Sequence, residues 1–169
     1  MEQDKKDNTK TLAISSMLAA LIFVFTYLIR IPIPVLQQGG AYVNIGDCLI
    51  YCAGMLVSAP WAAAAAGIGS TMADLAAAVP IYMPATFVIK GLMGFVCATL
   101  MKDSKLSRFI LVSALGGAIM VAGYGLFELF VFGWSYAVTS VPFNIIQWIA
   151  GVAGALALYY PVKRIKGVI

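Results

Sequence analysis

Four ionisable side chains, Asp47, Asp74, Lys90 and Glu128, stand inside stretches of sequence that are otherwise almost wholly apolar, and the amides Asn144 and Gln147 stand in another. A charge at the centre of a membrane-spanning helix costs roughly 2.5–3.5 kcal/mol on insertion scales, so such residues face a bundle interior or a cavity. Spacing then groups them with partners. Thr86 and Lys90 are four apart, as are Tyr124 and Glu128, and Asn144, Gln147 and Trp148 recur at three and four. Residues at those separations share one face of a helix. An aromatic wall beside a few placed donors and acceptors is the chemistry of a small-molecule pocket. With Asn44 in the connection before Asp47, these positions, apart from Asp47 itself, are the candidate substrate-binding residues.

Each has a plainer reading beside it. Asp74 and Lys90 either face a ligand or neutralise each other as a structural pair. Asp47 reads better as the N-terminal cap of its helix, its charge near the positive end of the helix dipole, than as a ligand contact. Tyr82, Trp134 and Tyr136 read as interfacial aromatics. Glu128 has no evident partner in the sequence and is the foremost candidate for a ligand contact.

The elements that position these residues follow from composition. Of 169 residues, 62% are hydrophobic and 11% charged, against roughly 25% charged in a soluble domain. A span needs about 20 mostly apolar residues. Polar and proline breaks divide the chain into six apolar stretches, at about 11–30, 45–58, 60–79, 84–101, 107–131 and 142–161. The expected fold is an all-α integral membrane protein of six transmembrane helices, one domain over 1–169. It has a polar tail at 1–10 and a long outer loop at 31–44. The tail precedes an apolar run as long as a full span with no small-residue cleavage site, so a retained first helix is expected rather than a signal peptide.

Lysines and arginines set the orientation. Lys5, Lys6 and Lys10 precede the first helix, Lys102, Lys105 and Arg108 separate the fourth and fifth, and Lys163, Arg164 and Lys166 follow the sixth. With six spans all three groups fall on one side, which the positive-inside rule makes cytoplasmic. The net charge of +4 is then topological and no nucleic-acid footprint. The same orientation brings the buried polar residues into the outer half of the membrane. The loop RIPIPVLQQGGAYVN, with two prolines and a Gly-Gly turn, adjoins that layer as a lid or as a passive connector; the lid is the favoured reading.

Several chemistries are absent. There is no GxxxxGK[ST] loop to power transport with ATP. There is no histidine and no HExxH or paired-cysteine site, so no enzyme, metal or cofactor is expected. Cys48, Cys52 and Cys97 read as buried thiols packed as small hydrophobes. No inverted repeat of the secondary-transporter kind is detectable, and ionisable groups stop halfway across. Small residues recur where helices must approach, as at 62–67, Gly91, Gly94, Gly116, Gly117, Gly151 and Ala155. On the first helix, Ala13, Ser16 and Ala20 form a stripe suited either to internal packing or to docking another membrane protein.

The segments Tyr42-Val43-Asn44-Ile45-Gly46-Asp47, Gly67-Ile68-Gly69-Ser70 with Ala73-Asp74-Leu75, and the run from Tyr82 to Gly91 resemble, in order and over nearly the whole chain, the substrate-binding S components of energy-coupling factor (ECF) vitamin transporters. Their nearest branch holds hydroxymethylpyrimidine-, pyridoxine- and riboflavin-type members. The resemblance implies a six-helix subunit of the cell membrane that binds a vitamin or precursor from outside. Its partners would be a transmembrane coupling subunit and two cytoplasmic ATPases, and it would deliver its cargo by toppling in the bilayer. It also implies a coupling surface on the first helix, where an Ala-x-x-x-Ala pattern is replaced here by Ser16-x-x-x-Ala20. A hydroxymethylpyrimidine- or pyridoxine-type ligand is the expectation. The alternatives are a riboflavin-specific member, a stand-alone facilitator or channel, and a scaffold without ligand.

Overall fold

Ten residues of high mean apolarity, Asp47–Leu56, form the shortest helix of the computed structural model, and nine of them are buried. At 1.5 Å per residue this helix is about 15 Å long, half the thickness of a bilayer's hydrocarbon core. The structure describes residues 2–36, 39–101 and 105–167, with side chains from residue 8 onward. Around the short helix, α2, stand α1 (Glu2–Leu28), α3 (Ala59–Ala76), α4 (Met83–Leu100), α5 (Leu106–Phe132) and α6 (Trp134–Lys166). α2 packs against each of these five. The further helix pairs are α1 with α3, α3 with α4, α4 with α5, and α5 with α6.

The connection from α1 to α2 is a two-stranded antiparallel ribbon, β1 (Arg30–Pro32) and β2 (Tyr42–Asn44), with Ile31 opposite Val43. A single 3₁₀ turn, Pro34–Leu36, leads away from β1. The ribbon and the α3–α4 and α5–α6 junctions gather at one end of the bundle, here the ribbon end. This is visible in the hydrogen bonds from Tyr42 to Asp74 and from Tyr136 to the Leu36 carbonyl.

Four described stretches, Asn8–Leu28, Pro80–Leu100, Leu106–Phe132 and Trp134–Lys166, are long and apolar enough to cross a bilayer. The protein is an all-α membrane protein with one small ribbon, which the hydropathy reading takes as loop.

Two helix ends depart from expectation. α1 begins at Glu2 rather than near 11, because Glu and Lys are good helix formers and a helix need not stop where the apolar run does. α6 begins at Trp134 rather than 142 and carries Pro142 and Pro161 inside it; the sequence reading stops at Pro142 as a break. The true break is Gly133, whose φ of +88° is a conformation glycine adopts without steric cost.

Away from the ribbon end the bundle is closed by packing. Tyr51, Phe109, Met93 and Cys97 are fully buried in one apolar cluster that Tyr159 joins, and the rings of Phe109 and Tyr159 lie 5.1 Å apart. All three cysteines are free and buried, as small hydrophobes in this core. The small residues do the closing: a Cβ on Gly94 would stand 2.5 Å from the Ala62 carbonyl oxygen, so α3 and α4 approach backbone to backbone. Of the cations that orient the chain, the side chains of Lys5 and Lys6 and the whole of Lys102 lie outside the described residues.

Candidate solute-binding site

Because α2 is half-length, the space beyond its N-terminus is filled by side chains and by a cavity instead of helix. The cavity is narrow as it stands, with about 40 Å3 of free space open to a water-sized sphere, well below the about 300–1,000 Å3 usual for small-molecule sites, so a solute must widen it to enter.

Its floor is the start of α2. Asp47 is 1% exposed and accepts from Lys90 Nζ at 2.5 Å and from Gln147 Nε2 at 2.9 Å. Gln147 Oε1 in turn accepts from the Asn44 backbone N–H at 3.0 Å and from Asn44 Nδ2 at 3.3 Å, while Asn44 Oδ1 accepts from the Gly46 N–H. This network ties β2, α2, α4 and α6 together. It corrects two sequence expectations. Lys90 pairs with Asp47 and not with Asp74, since α2 also packs on α4 and brings its first turn to the Lys90 ammonium. Asp47 is inside the first turn and makes no side-chain cap.

One wall comes from α4, α5 and α6. Thr86 Oγ1 and Tyr124 Oη share a hydrogen bond at 2.9 Å, and Lys90 Nζ lies 5.4 Å from the Tyr124 ring centre. Glu128, 2% exposed, accepts from Tyr82 Oη at 3.0 Å and from Ser140 Oγ, and Asn144 Nδ2 reaches Ser140 Oγ at 3.4 Å. Glu128 therefore has partners that the sequence did not disclose, because they arrive from the α3–α4 junction and from a part of α6 read as loop. Tyr82 is correspondingly no interfacial aromatic: it is 6% exposed and packs on Phe127 and Phe132. Tyr136 bonds Tyr82 and the Leu36 carbonyl, pinning the ribbon. Only Trp134, 72% exposed, sits as an interfacial residue would.

The facing wall is α3 with α1, roofed by the ribbon. Tyr42 Oη donates to Asp74 Oδ1 at 2.6 Å. Burial and the Asp74 carboxylate raise the Tyr42 phenol far above its ordinary range, so it remains a donor. Ile33, Gly40 and Ala41 cover the space above. Asp74 also closes its own helix: the Val79 N–H returns to its carbonyl at 3.0 Å, which forces Ala78 to a φ of +58°.

Asn44, Asp74, Thr86, Lys90, Tyr124, Glu128, Asn144 and Gln147 thus border one space. Trp148 does not; its indole occupies the room left by Gly117, whose added Cβ would overlap it at 1.7 Å. Thr26, Tyr42, Ser70, Tyr82 and Ser140 line the cavity too and were missed as site residues. A signal existed for two: Ser70 precedes Asp74, and Ser140 precedes Asn144, by four residues. Ala13, Ser16 and Ala20 are exposed on the outside of α1, so that stripe is not used in internal packing.

The fold and site together are those of a helical membrane bundle closed at one end by packing and holding a polar, roofed cavity at the other. Residues 6–164 match the ECF-type riboflavin transporter S component family, and the chain belongs to that family. It is 33% identical over 144 residues, 85% of this chain and 95% of the other, to an uncharacterised protein of Pyrococcus woesei. It is 31% identical over 157 residues, 93% and 90% of the two chains, to the thiamine precursor transporter HmpT of Lactococcus lactis subsp. cremoris. The family is one of transporter components and not an enzyme class.

Proposed function

We propose that this chain is the substrate-capturing subunit of a vitamin importer in the cell membrane. In this reading six helices traverse the bilayer, both termini are cytoplasmic, and the ribbon is an outward lid. A transmembrane coupling subunit and two cytoplasmic ATPases complete the machine. The exposed Ala13, Ser16 and Ala20 stripe is the surface offered to the coupling subunit. The packed far half supports the need for such partners, since among the described residues the polar network of the site ends at Asp47, Lys90 and Gln147.

The ligand is a flat, weakly basic heterocycle carrying a hydroxymethyl group, of the hydroxymethylpyrimidine or pyridoxine type. One observation carries this choice. Asp74 and Glu128 both border the cavity, whereas its one lysine is already taken by Asp47, so the space is acidic and asks for donors. Similarity to a thiamine precursor transporter agrees with it. Riboflavin, in the name of the matching family, is the second reading; it is larger and brings no basic ring nitrogen.

Mass spectrometry of solute carried through purification identifies the ligand, and thermal-shift titration with hydroxymethylpyrimidine, pyridoxine and riboflavin ranks the candidates. Stabilisation by a pyrimidine or pyridoxine is expected. Stabilisation by riboflavin alone selects the second reading. Uptake into vesicles by the lone chain without ATP, with no need of an ECF module, overturns the importer reading.

A further inference from the structure

Hydroxyls on helices can satisfy themselves by donating to the carbonyl four residues earlier. Thr99 and Thr139, on exposed faces, do so here, at 2.8 and 2.7 Å. Two hydroxyls on the cavity wall do not. Thr26 Oγ1 on α1 and Ser70 Oγ on α3 have no hydrogen-bond partner, at 3% and 1% residue exposure. The same holds for the second carboxylate oxygen of Asp74, Oδ2, in a residue 3% exposed.

Ser70 and Asp74 are four apart and share a face of α3, and all three residues border the one cavity. The opposite wall is different: Glu128 is bonded by Tyr82 and Ser140, and Tyr124 by Thr86, whose hydroxyl also faces the Asp74 carboxyl. Ser15, Arg30, Tyr51, Thr71 and Ser113 each carry one unpaired buried atom too, but lie off the cavity. An unpaired buried polar group is costly, and more so when charged. A wall that concentrates three such atoms around one space is built for a partner that arrives from outside the chain.

Resting on the reading of the site as a heterocycle pocket, we infer that Asp74, with Ser70 and Thr26, forms the subsite that selects the ligand, by receiving an amidine-like N–C–N edge. Such an edge, a ring nitrogen beside an exocyclic amine as in a 4-aminopyrimidine, presents two adjacent donors when the ring nitrogen is protonated. A carboxylate accepts both in parallel, as it does from a guanidinium. Oδ1, already held by Tyr42, and the free Oδ2 supply the two acceptors, and the hydroxyls of Ser70 and Thr26 finish the edge. Glu128 then meets the ligand's hydroxyl end and contributes affinity without discrimination. The foremost residue of the sequence reading becomes the anchor, and Asp74 the selector.

The test is a cycle between protein and ligand, read by isothermal titration of the purified full chain in detergent. The ligands are 4-amino-5-hydroxymethyl-2-methylpyrimidine and its analogue lacking the amine. Wild type is expected to prefer the amine by about 30-fold or more, the scale of hydrogen bonds to a charged group. Asp74→Asn is expected to erase that preference, leaving the analogue's affinity nearly unchanged, and Ser70→Ala to reduce it several-fold. Glu128→Gln is expected to weaken both ligands alike. A preference that survives Asp74→Asn, or that disappears in Glu128→Gln, overturns the inference while the pocket reading stands. If Asp74→Asn does not fold, an undiminished preference in both Ser70→Ala and Thr26→Val overturns it equally. If wild type binds neither pyrimidine, the proposed function fails first and the inference with it.

Discussion

The two halves of the bundle spend their burial in opposite ways. Near the ribbon, charged and hydroxyl groups are enclosed and joined by hydrogen bonds that cross from one helix to another, such as Lys90 to Asp47 and Tyr82 to Glu128. Beyond the first turn of α2, enclosure is apolar, and contact is made by small residues letting backbones approach, as Gly94 does at Ala62. In lipid, where helices gain nothing from leaving water, the second strategy provides adhesion. The first provides a bonded polar lining around a small cavity. The difference teaches that one short helix can divide a bundle into a receptor and a plug.

Four substitutions break or sharpen that contrast, taken from the largest expected effect. Lys90→Met strands Asp47, and removing one partner of a buried pair costs about 3–5 kcal/mol. A large fall in thermal midpoint is expected, most of it recovered by adding Asp47→Leu; no recovery would mean the pair is not the floor's main bond. Gly94→Val, in the plug, forces α3 and α4 apart at a cost of about 1–3 kcal/mol, with ligand affinity of the folded protein unchanged. A changed affinity would show that the halves are coupled.

Ala78→Gly relieves the left-handed backbone beside Asp74 and should stabilise by about 0.5–1 kcal/mol, detectable as a small rise in the same midpoint. Trp148→Phe should leave affinity within about twofold, because additive sites do not share partners. A tenfold loss in titration would return Trp148 to the pocket.

Much of this was legible in the chain. Polar residues in apolar helices can be counted without knowing how helices pack, and the residues flagged that way converge on the cavity, except Trp148. Their pairings were not legible, because spacing tells which residues share a face and not which helix stands opposite. Lys90 found Asp47 because α2 packs on α4, a fact of tertiary order. Thr26 gave no signal, since a hydroxyl in a membrane helix can be satisfied by its own backbone. The start of α6 was misread at Pro142 because a proline ends most helices, but a packed helix tolerates one.

The length of α2 has an electrical consequence. About 15 Å of helix below the floor leaves the pocket near the midplane of a bilayer about 30 Å thick. With the mouth outward, a cationic solute that settles on Asp74 has already descended through part of the membrane potential. The full drop is worth about 2.3 kcal/mol per charge per 100 mV. In the proposed orientation, capture of a cationic solute would itself draw on the cell's voltage.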